Sequence, residues 1–357
     1  MLDLTRRKLM FLLAGVSASG SWGDEGRPKA VQTISGGRHT DVLELVNPEL
    51  REFLRGLPKE PPLTVEMVRQ MRVAEASTRP LLPPGVVVQK IPGAKGAPDI
   101  QVFIFNGTPG RKPRCGLLYM HGGGFFSGST QNSFPGFRGL QKIARDHECT
   151  VVSVDYRLAP ETRFPGSLDD NYAALKWFNS NAKELGVDPT RIAVMGESAG
   201  GGHAAALTIA ARDRGEIPIL FQLLIYPMLD DRTGSTRNVP HHIGAFIWTP
   251  ESNRFGWSSL LGMPAGSETV LEGAVPGRVS DLRGLPPTYI GVGSLDLFVD
   301  EDIAFSRRLI DAGVPTELYV APGAYHGFFF LVPNAAVSKK FDLSYNDALA
   351  KAFASHG

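Results

Sequence analysis

From residue 86 onward, short continuous apolar runs rich in β-branched residues alternate with longer stretches of helical periodicity, and no other feature of the chain limits its fold so strongly. The apolar runs lie at 86–91, 100–105, 116–120, 151–155, 192–195, 219–225, 288–292 and 317–320. Helical patterns lie at 134–147, 168–185, 199–212 and 301–312. A strand that is apolar at every position, rather than every second one, is buried on both faces, which calls for helices above and below a mostly parallel sheet. Strand–helix–strand repetition of this kind is an α/β architecture. Ser167 and Asp170 read as a capping box for the second helix. With 357 residues, 43% of them hydrophobic, the chain can bury such a core without a metal or a disulfide.

Two segments do not fit the alternation. Residues 45–82 carry helical periodicity broken by prolines and precede every strand, so they must pack on a body formed later in the chain. Residues 226–284 interrupt the repeat with five prolines (Pro227, Pro240, Pro250, Pro264, Pro276) and the aromatics Phe246, Trp248, Phe255 and Trp257. An insertion of that length in a compact sheet is usually a lid over a functional site. The sheet body then comprises residues 83–225 and 285–357.

The net charge is +1 with no long basic run, which excludes nucleic acid and anionic membrane surfaces as expected partners. No apolar stretch reaches the roughly 18–20 residues of a bilayer span, so no stable membrane insertion is expected. Residues 1–22 have a different character. Thr5-Arg6-Arg7-Lys8 precedes the apolar stretch 9–16, and small residues follow at Ser17, Ala18, Ser19 and Gly20. That is the layout of a secretory leader of the twin-arginine type, and it predicts export to the periplasm or beyond. A leader that did not function would leave the chain in the cytoplasm. The two cysteines, Cys115 and Cys149, each open an apolar run and lack metal-site spacing. They read as buried thiols, with a bridge open to them if their strands are neighbours.

Gly196-Glu197-Ser198-Ala199-Gly200 follows the run at 192–195 and opens the helix at 199. A serine on so sharp a strand-to-helix turn needs flanking glycines, and its hydroxyl is held clear of the backbone as a nucleophile. The pentapeptide is weak alone and gains weight from the strand before it and the helix after it. His121-Gly122-Gly123-Gly124-Phe125 is the more specific signal, because it ends the run at 116–120 and is rarer by chance. Its glycines let backbone N–H groups converge on one point, as an oxyanion requires; the phosphate-binding glycine patterns are absent. An acid and a histidine should follow the serine, in that order, on loops after late strands. Asp296 comes first after the run at 288–292. Asp300 and Asp302 are the alternatives, read as solvated or capping the next helix. His326 lies on the loop directly after the last of the runs.

With these residues in hand the chain resembles the hormone-sensitive-lipase family of esterases, also called bacterial family IV. The resemblance rests on His121-Gly122-Gly123-Gly124, Asp155-Tyr156-Arg157-Leu158-Ala159-Pro160-Glu161, Phe164-Pro165 with Leu168-Asp169-Asp170, Gly196–Gly200 and His326-Gly327-Phe328. These span about two hundred residues in the family's order. The resemblance implies an α/β-hydrolase fold: a mostly parallel eight-stranded sheet under a helical cap built from the N-terminal helices and the 226–284 insertion. It implies Ser198 as nucleophile, His326 as base and Asp296 as orienting acid. It places the oxyanion hole at the N–H groups of Gly123, Gly124 and Ala199. Two positions depart from the pattern: Glu197 stands where the family has Asp or Thr, and Leu297 where it commonly has proline.

The expected activity is hydrolysis of short- to medium-chain acyl esters through an acyl-enzyme, with a small-molecule ester as substrate and neither cofactor nor metal. Amide or formamide hydrolysis, or acyl transfer, would use the same triad and is separated only by comparing matched substrates. A ligand-binding protein on an inactive hydrolase scaffold is the third reading, opposed by the presence of serine, acid and histidine. A homodimer is compatible with the sequence, which does not decide oligomeric state.

Overall fold

Eight strands and ten helices account for most of the computed structural model, which describes residues 41–354 apart from 56, 58–61, 78–80, 111 and 134. The strands are β1 (Val86–Ile91), β2 (Ile100–Phe105), β3 (Arg114–Met120), β4 (Thr150–Asp155), β5 (Val187–Glu197), β6 (Gln222–Ile225), β7 (Thr288–Gly293) and β8 (Thr316–Ala321). They form one sheet in the order β1-β2-β4-β3-β5-β6-β7-β8. Only β1–β2 and β2–β4 pair antiparallel; every other neighbouring pair is parallel. Every expected strand is present. β5 begins five residues early, because Val187 pairs with Arg114 across a register shift that the polar residues Asp188 and Thr190 hide from an apolar scan.

The helices are α1 (Val42–Leu45), α2 (Pro48–Leu54), α3 (Val65–Ser77), α4 (Gly136–Asp146), α5 (Gly166–Ser180), α6 (Ala199–Arg214), α7 (Pro250–Leu261), α8 (Val299–Asp311), α9 (Phe328–Leu331) and α10 (Ala336–Ala354). Successive residues of β3 serve opposite cores, the alternation that a pleated strand imposes. Leu117 and Tyr119 join Phe137 of α4 and Phe341 and Tyr345 of α10 on one face. Leu118 and Met120 join Leu175 and Phe178 of α5, Leu207 of α6 and Phe305 of α8 on the other. Burial on both faces is what the unbroken apolar runs required. No helix among the described residues is long and apolar enough to cross a membrane.

The capping box at Ser167 is not formed. Pro165 is the residue before α5 and makes no side-chain cap, so Ser167 lies one residue inside the helix with its hydroxyl unpartnered. Asp170 is drawn instead to a tertiary partner, since Arg157 donates to both of its carboxylate oxygens at 2.7–3.1 Å. A buried charge paired in this bidentate way outweighs a local cap. Cys115 and Cys149 are buried free thiols. Their strands are neighbours, with Gly116 beside Thr150. The leader-like residues 1–22 lie outside the described residues.

Candidate active site

β5 ends at Glu197 and α6 starts at Ala199, so Ser198 alone turns the chain from strand to helix. Its φ of 55° and ψ of −123° are costly for a residue with a side chain, on the order of 1–3 kcal/mol. Surrounding bonds impose them: the Ser198 N–H donates to Ile225 O at 2.9 Å, and its carbonyl accepts from Gly202 N–H and Met228 N–H at 3.0 Å each. The turn packs directly on the end of β3. A Cβ at Gly200 would stand 2.2 Å from the Met120 carbonyl oxygen, which no side chain can occupy.

The glycine loop continues from that strand end. Gly123 has φ of 129°, and a Cβ there would lie 2.0 Å from Ser127 O. Its carbonyl accepts from the N–H groups of Phe126 (3.1 Å) and Ser127 (2.9 Å), closing a tight turn. Below the turn, the Glu197 carboxyl is fully buried. Its Oε1 accepts from Gly122 N–H at 3.1 Å and from the Tyr119 hydroxyl, while Oε2 has no partner. Burial pushes this carboxyl up to about 8, against the two hydrogen bonds that favour its ionised form.

The three residues expected to act together do meet. His326 Nε2 lies 3.0 Å from Ser198 Oγ, and His326 Nδ1 lies 2.8 Å from Asp296 Oδ2. A carboxylate facing Nδ1 fixes the tautomer, so Nδ1–H donates to Asp296 and Nε2 is left to accept from the serine hydroxyl. The other oxygen of Asp296 accepts from Phe298 N–H at 3.1 Å, and the side chain is 0% exposed. Asp300, by contrast, is 71% exposed and faces Arg237. Asp302 departs from expectation: it is neither solvated nor a cap, but fully buried with both oxygens unpartnered. Burial, then Glu301 and Asp296, push its carboxyl well above the usual range.

Known proteins resemble this chain over most of its length. Residues 117–330 match a family described by its alpha/beta hydrolase fold. The chain belongs to the α/β-hydrolase family. Within it the chain falls in the hormone-sensitive-lipase-like branch. It is 35% identical over 314 residues to a carboxylesterase of Mycobacterium tuberculosis, covering 82% of this chain and 93% of the relative. It is 32% identical over 216 residues to an ethyl acetate hydrolase of Pseudomonas putida, covering 59% and 65%. Among solved structures, a bacterial heroin esterase superposes with a TM-score of 0.74 at 36% identity, covering 88% of this chain and 99% of that one.

Asp155 and Tyr156, which carry part of the hydrolase resemblance, bond to the glycine loop and to the end of β3 that leads into it. Asp155 accepts from the N–H and hydroxyl of Thr130 at 2.8 and 2.7 Å, fixing the far end of the glycine loop. The Tyr156 hydroxyl donates to His121 O at 2.5 Å, and the Tyr156 ring stacks on His121. His203 of α6 packs edge-on against Tyr156 and Phe125; burial, helped by nearby His121, pushes it down to about 3, so it stays neutral. Glu301, conspicuous in sequence only as one of several acids, accepts from the N–H groups of Leu229 (2.7 Å) and Asp230 (3.1 Å) and anchors the start of the insertion.

The rings facing His326 are Tyr226 at 4.5 Å, Phe298 at 5.3 Å and Trp248 at 6.2 Å between centroids. Sequence reasoning noted Trp248 as one aromatic of the insertion but gave it no place. The structure sets it against Gly124, where a Cβ would meet the indole at 2.3 Å. Of Phe125, Phe126, Phe328 and Phe329, Phe126 packs on Trp248, with Phe255 edge-on to it. Phe125 is packed behind the loop against Trp257, and Phe328 and Phe329 are core residues against Phe341.

Proposed function

We propose that this chain is a carboxylesterase for short- to medium-chain acyl esters, with Ser198 as nucleophile, His326 as general base and Asp296 as its orienting acid. The unbroken run of hydrogen bonds from Ser198 Oγ through His326 to Asp296 carries the reading. Ser198 Oγ attacks the ester carbonyl carbon while His326 Nε2 takes its proton. The N–H groups of Gly123, Gly124 and Ala199 receive the oxyanion, with Ala199 at the first position of α6, where an N–H has no acceptor within the helix. The alcohol leaves with the proton from His326, and a water activated by the same imidazole releases the acid.

The limit on acyl length is argued from the aromatic wall. Trp248, held by its indole N–H on Asn253 Oδ1 at 3.2 Å, stands between the glycine loop and His326. It packs with Phe126 and Phe255 into an aromatic cluster that would narrow the approach to Ser198, and residues 45–82 and 226–284 would act as the cap. Export through residues 1–22 belongs to the same reading on sequence grounds. The test is a nitrophenyl ester series from acetyl to palmitoyl. Butyryl to octanoyl esters should be cleaved faster than palmitoyl, with no rise in rate above the substrate's solubility limit. Faster hydrolysis of emulsified long-chain triglyceride than of soluble butyryl ester would refute the size limit.

A further inference from the structure

One arginine joins the N-terminal helices to the glycine loop. Arg72, in the middle of α3, reaches two loops far away in sequence. Its Nε–H donates to Phe126 O at 2.7 Å, Nη2 donates to Ala159 O, and Nη1 pairs with Glu161 Oε2 at 2.8 Å. The two carbonyl acceptors are already linked to one another, since Ala159 N–H donates to Phe125 O at 2.9 Å. Arg72 therefore closes a ring of bonds through 125, 126 and 159. Phe126 also donates its N–H to Gly123 O, so the ring ends on the glycine whose own N–H is assigned to the oxyanion. One turn further along α3, Glu75 accepts from Gly128 N–H at 3.4 Å through its carboxylate and from Asn132 Nδ2 at 2.9 Å through its backbone carbonyl. From the opposite side, Trp248 and Phe255 pack on the Phe126 ring.

The glycine loop is thus held between two segments that precede and interrupt the sheet. A loop built of three consecutive glycines has little intrinsic stiffness, so its geometry must be imposed by what it is bonded to. A planar guanidinium with donors on two edges suits that task, because it fixes several acceptors in one rigid plane; an ammonium would act as a single point charge. We propose that Arg72 is a positioning residue for the oxyanion hole, transmitting the docking of α3 to Gly123 and Gly124 through Phe126. The proposal rests on the esterase reading above for the role of those N–H groups. It goes further in making the N-terminal helix part of the catalytic geometry rather than only a wall around the acyl chain.

The test separates these two roles. Acetyl esters are too short to gain much from a cap, so a purely chain-binding helix would leave their turnover alone. Arg72→Ala should lower kcat on nitrophenyl acetate by roughly ten- to a hundredfold, the scale of a misplaced or lost oxyanion donor, with KM changed less than about threefold. Arg72→Lys should fall between, and free guanidinium ion at millimolar concentration should restore part of the loss in Arg72→Ala. Gln70→Ala, on the same helix and with its side chain bonded to Glu66, should behave as wild type. The rate of Ser198 labelling by a fluorophosphonate is the second readout and does not depend on the natural substrate. If wild type cleaves no nitrophenyl ester, the esterase reading fails, while slower labelling of the Arg72 variants would still support the positioning role. An unchanged kcat and labelling rate, with KM rising only for octanoyl esters, overturns the proposal. Should Arg72→Ala not fold, the same comparison on Arg72→Lys decides it.

Discussion

Glu197 offers the sharpest test of the electrostatics beneath the nucleophile. Replacing it with Gln keeps an oxygen in the Oε1 position for Gly122 N–H and the Tyr119 hydroxyl, and removes the titration. In the folded protein the carboxyl holds its proton up to about 8, whereas the ordinary glutamate value is 4.5. Below 4.5 both states are protonated, and this group leaves stability unchanged with pH. Between 4.5 and about 8 the unfolded chain ionises while the folded one does not, so unfolding releases a proton and stability falls as pH rises. Above about 8 both states are ionised, and the loss is complete. At 1.36 kcal/mol per unit, that gap amounts to about 5 kcal/mol of stability present in acid and absent in alkali. Glu197→Gln has no such dependence. The difference in unfolding free energy between variant and wild type, read from urea titrations at pH 4 through 9, should therefore grow in favour of the variant across this window. Other buried acids, Glu301 and Asp302 among them, are common to both proteins and cancel in the difference. Parallel stability curves for the two proteins would refute the argument, and would mean that Glu197 is ionised in the fold.

Two further outcomes follow from the triad geometry. Ser198→Ala and His326→Ala should each lower kcat by on the order of a million-fold, and the double variant should be no worse, because the two side chains act as one unit across their 3.0 Å bond. Additive losses in nitrophenyl ester assays would point to another base. Asp296→Asn should cost on the order of ten-thousandfold in kcat, about 5 kcal/mol in the barrier, by favouring the wrong imidazole tautomer. Asp300→Asn should cost less than about twofold, since that side chain is exposed and faces Arg237; the reverse order of the two would move the acid.

The sheet and the triad were legible because each leaves a local trace. Continuous apolar runs mark strands buried on both faces, and the runs at 116–120 and 192–195 end on the glycine loop and the nucleophile turn, as β3 and β5 do. Asp296 and His326 could be ranked by chain order after β7 and β8. What stayed hidden depends on partners distant in sequence. Asp170 looks like a cap residue until Arg157 is folded against it, and Asp302 looks like a solvated acid until α8 turns it inward. Arg72 is one of several basic residues in a helical pattern; its bonds reach 54 and 87 residues along the chain. Trp248 is one of several aromatics in the insertion, and only tertiary packing sets it over Gly124.

The departure from the family pattern at Glu197 becomes intelligible on the same terms. Glu197 is one methylene longer than aspartate, and that reach carries its carboxyl past the turn to Gly122 N–H and Tyr119 on β3. It binds the nucleophile turn to the start of the glycine loop from below, as Arg72 binds the middle of that loop from the side. Burial keeps Glu197 and the rings of His121 and His203 neutral near pH 7, and pushes the hydroxyls of Tyr119, Tyr156 and Tyr226 further above their ordinary value. In the proposed mechanism, an oxyanion forming above Ser198 would meet oriented dipoles in a poorly polarisable surround, over a Glu197 carboxyl held neutral. Dipoles already oriented cost no reorganisation when the charge appears, and low dielectric strengthens each of them. The buried carboxyl at 197 is compatible with this chemistry only while it stays protonated, which ties the stability change argued for Glu197 to the charge balance of the oxyanion hole.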